Sequence, residues 1–291
     1  MTVEIAGRKI GPGAPAYVIA EIGANHNGDL AVALDMIRAA KDAGADVVKL
    51  QKRSLPGCIP VEQRELIKET PWGRMSYAAY RDRLEFNRQQ YEAIDVECRR
   101  LGIAWTASVW DEGAVDFLRP FHVPFVKIPS ACLTGDGLLR AARTLDVPVI
   151  LSVGMSTPDE IARAVTTLGR HDLILLYCKS TYPCPTADLN LHGIATLRRL
   201  FGDEIPVGYS GHEVGLPTTL AAVALGACVV ERHFTLSRAM WGTDQAASVE
   251  PPGFRKLVAS IRTIEGAMGD GVIRVLESEE PIKAKLRRRS A

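Results

Sequence analysis

An excess of charge of either sign is missing from this chain. Its 291 residues hold 35 Lys and Arg against 34 Asp and Glu. That balance excludes the strong basic excess of a typical nucleic-acid-binding protein. Aromatics are sparse, at 6%. No apolar run approaches the about 20 residues that cross a bilayer; the longest, residues 220–230, stops far short, so no membrane partner is expected. A basic stretch followed by an apolar one is missing from the N-terminus, so no secretory leader is expected and the location read from it is cytoplasmic. The six cysteines (Cys58, Cys98, Cys132, Cys178, Cys184 and Cys228) contain no C-x-x-C pair and read as reduced thiols. The dinucleotide fingerprint G-x-G-x-x-G is also missing where a doubly wound sheet would carry it. What is present is an ordinary globular composition, 47% hydrophobic and 24% charged. A chain of this length buries a full core without a disulfide or metal staple.

Residues 3–13 read as a short hairpin around Gly7-Arg8. After it, β-branched runs alternate with segments that repeat apolar residues at helical spacing. The strand candidates are 16–23, 47–51, 103–109, 125–130, 147–154, 173–178, 206–211 and 228–236. Between the first two, Leu30, Leu34 and Ile37 share a helical face, with Asp29 as N-cap and Gly44 as stop. Thr157-Pro158-Asp159-Glu160 is a second helix start. Eight strands with intervening helices and a final helix over 250–268 predict an α/β fold, a (β/α)8 TIM barrel with a short N-terminal hairpin. The expected organisation is one barrel domain over 1–291, with the hairpin in 1–14 and a solvated basic tail in 280–291. Residues 52–76 are irregular, and a long loop in a compact domain is usually functional.

Barrel active sites are built from the C-terminal ends of the strands. Here those ends carry Glu21; Lys49 and Gln51; Thr106 and Ser108; Lys127 and Ser130; and Ser152. The later strands end in Cys178, Lys179 and Ser180, then Ser210 and His212, then Glu231 and His233. Residues two apart share a strand face, so Lys49 with Gln51, Ser210 with His212, and Glu231 with His233 point together. Unpartnered buried charge costs several kcal/mol, so this concentration argues for an enzyme over an inert scaffold. His212 and His233 end neighbouring strands and suit a divalent ion such as Mn²⁺, Fe²⁺, Co²⁺ or Zn²⁺. A hydrogen-bonded core role is the alternative for each, and it is the reading kept for His122, His171 and His192. His26, just past the first strand, is a candidate wall of the site. Lys49 and Lys127 fit either a Schiff-base lysine or a cationic anion site. The hydroxyls of Ser130, Ser152 and Ser210 favour a phosphate or carboxylate.

Seven blocks, in order, make the chain resemble the sialic acid synthase (N-acetylneuraminate synthase) family: Ala20-Glu21-Ile22-Gly23-Ala24-Asn25-His26-Asn27-Gly28, Val48-Lys49-Leu50-Gln51, Phe125-Val126-Lys127-Ile128-Pro129-Ser130, Leu151-Ser152-Val153-Gly154-Met155-Ser156, Tyr182-Pro183, Gly208-Tyr209-Ser210-Gly211-His212 and Glu231-Arg232-His233-Phe234-Thr235. The resemblance implies a barrel that joins phosphoenolpyruvate to an N-acetylated hexosamine such as N-acetylmannosamine, giving a nonulosonic acid and phosphate. It implies His212 and His233 as ligands of Mn²⁺, or of Mg²⁺. Lys49, Lys127, Ser130, Ser152 and Ser210 would hold phosphoenolpyruvate, and Gln51, Tyr182 and Asp244 the sugar. Glu21 would face the reacting carbons, with Lys49 and Glu231 completing the catalytic set. Ser180 stands where the family commonly has Asn and can still donate to substrate; Gly211 stands where it commonly has Asp. The expected partners are small molecules and further copies of the chain as a homo-oligomer.

Full-length members carry a C-terminal antifreeze-like domain, and the sequence stops where that domain would begin. The expectation is a barrel-only member. In it the loop 52–76, with Arg53, Arg64, Arg74 and Trp72, roofs the site from the same or a neighbouring subunit and admits a more acidic or differently N-substituted sugar than N-acetylmannosamine; the alternative is a surface loop that makes no substrate contact. The alternatives are a metal-dependent aldolase or isomerase barrel and a non-catalytic sugar-phosphate-binding subunit.

Overall fold

The computed structural model describes residues 1–55 and 58–288. Arg289, the last residue of the basic run, lies outside them, as do loop residues 56–57. The chain opens with an antiparallel hairpin, β1 (Val3–Ile5) and β2 (Arg8–Ile10). Its turn is Ala6-Gly7, one residue earlier than the sequence suggests. Both residues take positive φ, 50° and 76°, the paired left-handed geometry of a tight hairpin turn.

The barrel begins with β3 (Tyr17–Gly23), α1 (Leu30–Asp42) and β4 (Val47–Lys52). The next crossover is the longest. It holds α2 (Val61–Arg64), an antiparallel hairpin of β5 (Ile67–Thr70) and β6 (Gly73–Ser76), then α3 (Tyr77–Leu84) and α4 (Arg88–Leu101). The region expected to be irregular is therefore partly ordered. Regular alternation follows through β7 (Ala104–Val109), α5 (Glu112–Leu118), β8 (Val126–Ile128), α6 (Asp136–Arg143) and β9 (Val149–Ser152). It continues through α7 (Pro158–Leu168), β10 (Leu173–Cys178), α8 (Gly193–Phe201) and β11 (Val207–Gly211). The last units are α9 (Pro217–Ala224), β12 (Val229–His233), α10 (Pro251–Ala267) and the exposed α11 (Glu280–Leu286).

Eight parallel strands close on themselves, β12 pairing with β3. The chain is a (β/α)8 barrel, and its chemistry is set by what alternates inward. Inward positions start apolar and end polar: Tyr17 and Ile19 precede Glu21, Val47 precedes Lys49, Phe125 precedes Lys127, Ile150 precedes Ser152, and Val229 precedes Glu231. The apolar members form one buried cluster with Val3, Ile5 and Ile10 of the hairpin, which plugs the N-terminal end. The outward residues, such as Val18, Ala20, Val48 and Leu50, pack beneath the helices in a second, larger cluster.

Helix ends follow local chemistry. Asp29 accepts from the backbone N–H of Ala31 and Val32 at 2.8 and 3.2 Å and starts α1. Thr157 and Glu160 form a reciprocal capping box at α7. The buried face of α1 differs from the Leu30, Leu34 and Ile37 stripe. Ala33, Met36, Ile37 and Ala40 are buried, while Leu30 and Leu34 are only partly covered. Alanines on that face let the helix sit close to the strands.

Candidate active site

Strand register decides which side chains meet. At the C-terminal end of the barrel Glu21 lies beside both His233 and Lys49, Gln51 beside Ser108, Ser108 beside Lys127, and Ser210 beside Glu231. These residues line a cavity of about 180 Å³, with Ser130, Ser152, Ser180, Tyr182, His212 and Trp110 completing the wall. A larger cleft of about 490 Å³ at the opposite end, between the pre-barrel segment and the end of α10, holds only Arg198 and Glu265 as charged lining groups. It is the smaller cavity that concentrates ionisable groups.

The charges are buried and mutually compensating. Lys49 Nζ lies 2.5 Å from Glu21 Oε2 and 3.7 Å from Glu231 Oε2, and it donates to Ser108 Oγ at 2.7 Å. Lys127 Nζ donates to Ser152 Oγ at 2.7 Å and to the Ile128 carbonyl at 3.2 Å, with Glu231 Oε1 at 3.9 Å. Burial lowers the Lys127 ammonium pKa, and Glu231 partly restores it. Burial alone would raise the Glu231 carboxyl, but Lys127 and then Lys49 hold it well below the usual range. Glu231 therefore stays a carboxylate shared by two lysines. It also accepts from Ser210 Oγ at 3.1 Å. Gln51 Nε2 donates to Glu21 Oε1 at 3.1 Å, so both Glu21 oxygens are held.

The two imidazoles face each other across 5.6 Å between ring centres, and the Tyr182 ring leans on His212 at 4.1 Å. Burial, and then the neighbouring His233, push the His212 imidazole down to about 4, so it is neutral near pH 7. Its Nδ1 meets the Lys179 carbonyl at 2.5 Å. A proton on Nδ1 leaves the Nε2 lone pair free. His233 Nδ1 is buried without a hydrogen-bond partner among the described residues. Unclaimed nitrogens on two converging imidazoles are donor chemistry that suits a divalent ion. Among the described residues no group of three or more His, Cys, Asp or Glu gathers as a closed cage. Any further ligand positions would fall to water or substrate, the open arrangement of a catalytic centre.

The sequence model of the NeuB family matches residues 36–273. The chain belongs to the NeuB family. The human N-acetylneuraminate-9-phosphate synthase is 39% identical over 285 residues, covering 96% of this chain and 79% of that protein. The N,N'-diacetyllegionaminic acid synthase of Campylobacter jejuni is 36% identical over 270 residues, 90% of this chain and 80% of its own length. A crystal structure of the N-acetylneuraminic acid synthetase of Leptospira borgpetersenii in complex with citrate superposes with a TM-score of 0.87 at 31% identity, over 99% of this chain and 98% of that one. The relatives are acid synthases, and this chain is an enzyme of that carbon–carbon bond-forming type.

In this NeuB-family barrel one cavity gathers Glu21, Lys49, Gln51, Lys127, Ser130, Ser152, Ser180, Tyr182, Ser210, His212, Glu231 and His233. Asp244 does not line it. That side chain sits at the rim, where its charge bears on both Tyr182 and Tyr80. His26 is not a wall of the site either. It is buried, stacks on Phe86 at 4.1 Å and accepts from the Gly28 N–H at 3.0 Å. Of the loop arginines, none lines the cavity. Arg64 donates to the Ile59 carbonyl at 3.0 Å, Arg74 pairs with Glu69 at 3.1 Å in solvent, and Arg53 stacks over the Trp110 ring at 3.8 Å. Ser108 and Trp110 line the cavity, and Gly154 abuts the Ser130 and Ser180 hydroxyls behind it, without any of them having been singled out for a role. Their sequence signals were weak: Ser108 was one strand-end hydroxyl among several, and glycines do not announce a close approach.

Proposed function

We propose that this chain condenses phosphoenolpyruvate with an N-acetylated hexosamine to give a nonulosonic acid and phosphate. The observation that carries the reading is the cavity in which two lysines, five serine hydroxyls and the Glu21–Gln51 pair face two unclaimed imidazoles. Lys127, Ser130, Ser152 and Ser210 take the phosphate of phosphoenolpyruvate, and Lys49 takes its carboxylate side. Lys49 is tied to two carboxylates and a hydroxyl, and Lys127 to a hydroxyl. Neither is the free amine that a Schiff base needs.

His212 and His233 would hold an Mn²⁺ or Mg²⁺ ion, which when bound supplies Lewis-acid polarisation of the acceptor aldehyde. The methylene carbon of phosphoenolpyruvate bonds to the aldehyde carbon, and the aldehyde oxygen takes up a proton. Positive charge develops on the enol-ether carbon, and the adjacent Glu21 carboxylate stabilises it. Water adds to that carbon, and Glu21 is placed to receive its proton. The tetrahedral adduct then breaks its carbon–oxygen bond and expels phosphate, leaving the keto acid. Tyr182 walls the imidazoles on the acceptor side.

Phosphate release from phosphoenolpyruvate, measured with Mn²⁺ against a panel of N-acetylhexosamines, tests the reading. Release that depends on both substrates is expected; no release with any sugar would sink it. Lys127→Met is expected to weaken phosphoenolpyruvate binding by about tenfold to a hundredfold, the worth of one charge-assisted hydrogen bond. Unchanged affinity by calorimetry would remove Lys127 from the anion site. A methyl at Gly154 would stand 2.4 Å from Ser180 Oγ and 3.0 Å from Ser130 Oγ, and the Gly154 N–H donates to Ser130 Oγ at 3.0 Å. Gly154→Ala should raise the KM for phosphoenolpyruvate about tenfold, since overpacking costs about 1–3 kcal/mol. An unaltered KM would show that Ser130 is not positioned by this contact.

A further inference from the structure

Arg53 is a buried cation that the condensation chemistry leaves unused. It follows directly on β4, is buried, and does not line the main cavity. The carboxylate it reaches is Glu85, at 3.9 Å. Glu85 is already committed: it accepts from Lys52 Nζ at 3.1 Å and from the Arg53 backbone N–H at 3.2 Å. Lys52 and Arg53 therefore share one carboxylate. Asp111, beside Trp110 in the chain, accepts from the N–H groups of Ser54 and Ala114 at 2.7 and 2.8 Å. Burial, and then the charge of Arg81, lower the Arg53 guanidinium pKa. A guanidinium keeps its proton even so, and Arg53 is left short of counter-charge.

What Arg53 does meet is an aromatic ring. Its guanidinium lies over the Trp110 indole, 3.8 Å from the ring centre. Trp110 follows β7 and lines the main cavity. Its backbone ties it to the anion side. The Trp110 N–H donates to the Lys52 carbonyl at 3.3 Å, and the Trp110 carbonyl accepts from the Cys132 thiol at 3.6 Å. Cys132 belongs to the short helical turn that opens with Ser130. Ser108, on the same strand line as Trp110, is in register with Lys127. The ring itself has no such anchor: Nε1 is buried without a hydrogen-bond partner among the described residues. The stacked guanidinium is the polar contact that sets its orientation.

We propose that Arg53 is a positioning residue for phosphoenolpyruvate: it acts through Trp110, holding the indole as a wall of the anion side and backing that wall with positive charge. The inference rests on reading the strand-end lysines and serines as the phosphoenolpyruvate site. A cation over a ring is worth most where both are shielded from water, as they are here. Charge behind a low-dielectric wall also raises the potential felt by an anion in the cavity. A residue that only packed the loop would act by volume, and an uncharged side chain of similar length would replace it.

Calorimetry with phosphoenolpyruvate alone, on the intact chain, tests this. Arg53→Met is expected to weaken binding about tenfold. Arg53→Lys keeps the charge but not the planar stack, so its loss should be only about threefold. Arg53→Gln is the second uncharged variant, with the same expectation as Met, should circular dichroism show the Met chain unfolded. In a Trp110→Leu background the Arg53→Met loss should shrink to about twofold, because the ring it acts through is gone. In turnover, the KM for phosphoenolpyruvate should rise while the KM for the acceptor sugar stays near the parent's. Parental affinity in the uncharged variants, a Lys variant as weak as they are, or full additivity with Trp110→Leu would overturn the inference. A parent chain that binds phosphoenolpyruvate but releases no phosphate with any sugar defeats the condensation reading and leaves these comparisons standing. A parent that binds none defeats the anion site and this inference with it.

Discussion

Alanine at His212 or at His233 is expected to lower metal-dependent turnover on the order of a thousandfold or more, because Lewis-acid stabilisation contributes several kcal/mol and each 1.4 kcal/mol is tenfold. The physical case is specific to these two rings. Each is buried, their centres are 5.6 Å apart, and the Lys179 carbonyl occupies Nδ1 of His212. Removing one ring leaves a single imidazole, too few donors to hold a divalent ion against water. Mn²⁺ binding followed by electron paramagnetic resonance gives a readout independent of turnover, and it should be lost in both variants while circular dichroism shows the barrel intact. Glu231→Gln is the contrast. Its carboxylate is committed to Lys127, Lys49 and Ser210, so Mn²⁺ affinity should stay within a few fold even as activity falls. Parental Mn²⁺ affinity in either histidine variant would end the assignment.

Much of this site was legible because a barrel strand has a period of two and an active end. Once Lys49 and Gln51, or Glu231 and His233, were placed at strand ends, the fold alone sent them inward together. Three kinds of feature escaped that logic. Residues 67–76 form a hairpin, but its strands are exposed or half-exposed on both faces, so no alternation of apolar and polar residues marks them. His26 and Asp244 lie beyond strand ends, where chain direction is no longer dictated by the sheet. One turned into the core against Phe86, and the other to the rim. The glycines escaped because their role is negative. Gly23 takes φ 56° at a register shift in β3, and a methyl there would stand 3.1 Å from Gln51, 3.2 Å from Glu21 and 3.4 Å from His233. A side chain there would be strained by the left-handed backbone and would press on three groups of the cavity wall.

The second large effect is expected away from the cavity, at Arg232. It lies between Glu231 and His233 on the strand and so points the opposite way, into the layer beneath α9. There it is 1% exposed. Its guanidinium donates to the Glu213 carbonyl at 2.6 Å, the Gly215 carbonyl at 2.8 Å, Thr219 Oγ1 at 2.7 Å and Glu213 Oε1 at 3.3 Å. Glu213 accepts in turn from Tyr209, Thr218 and Thr219 at 2.9, 2.9 and 2.7 Å. This network ties the turn after His212 to the strand that carries His233, so it fixes the separation of the two imidazoles. It also accounts for Gly211, where the family commonly has Asp. A methyl at 211 would already stand 2.7 Å from Glu213 Oε2 and 2.9 Å from Arg232 Cδ, and a second carboxylate would crowd Glu213 directly. Arg232→Met leaves Glu213 as a buried carboxylate without its cation, which should cost about 3–5 kcal/mol of stability in urea unfolding. Adding Glu213→Gln removes the orphaned charge and should recover a large part of that loss, because neutral partners avoid the desolvation penalty of an unpaired ion. A single-variant loss below about 1 kcal/mol, or a double variant no more stable than Arg232→Met, would show that packing and not this ion pair holds the two histidine-bearing ends in place.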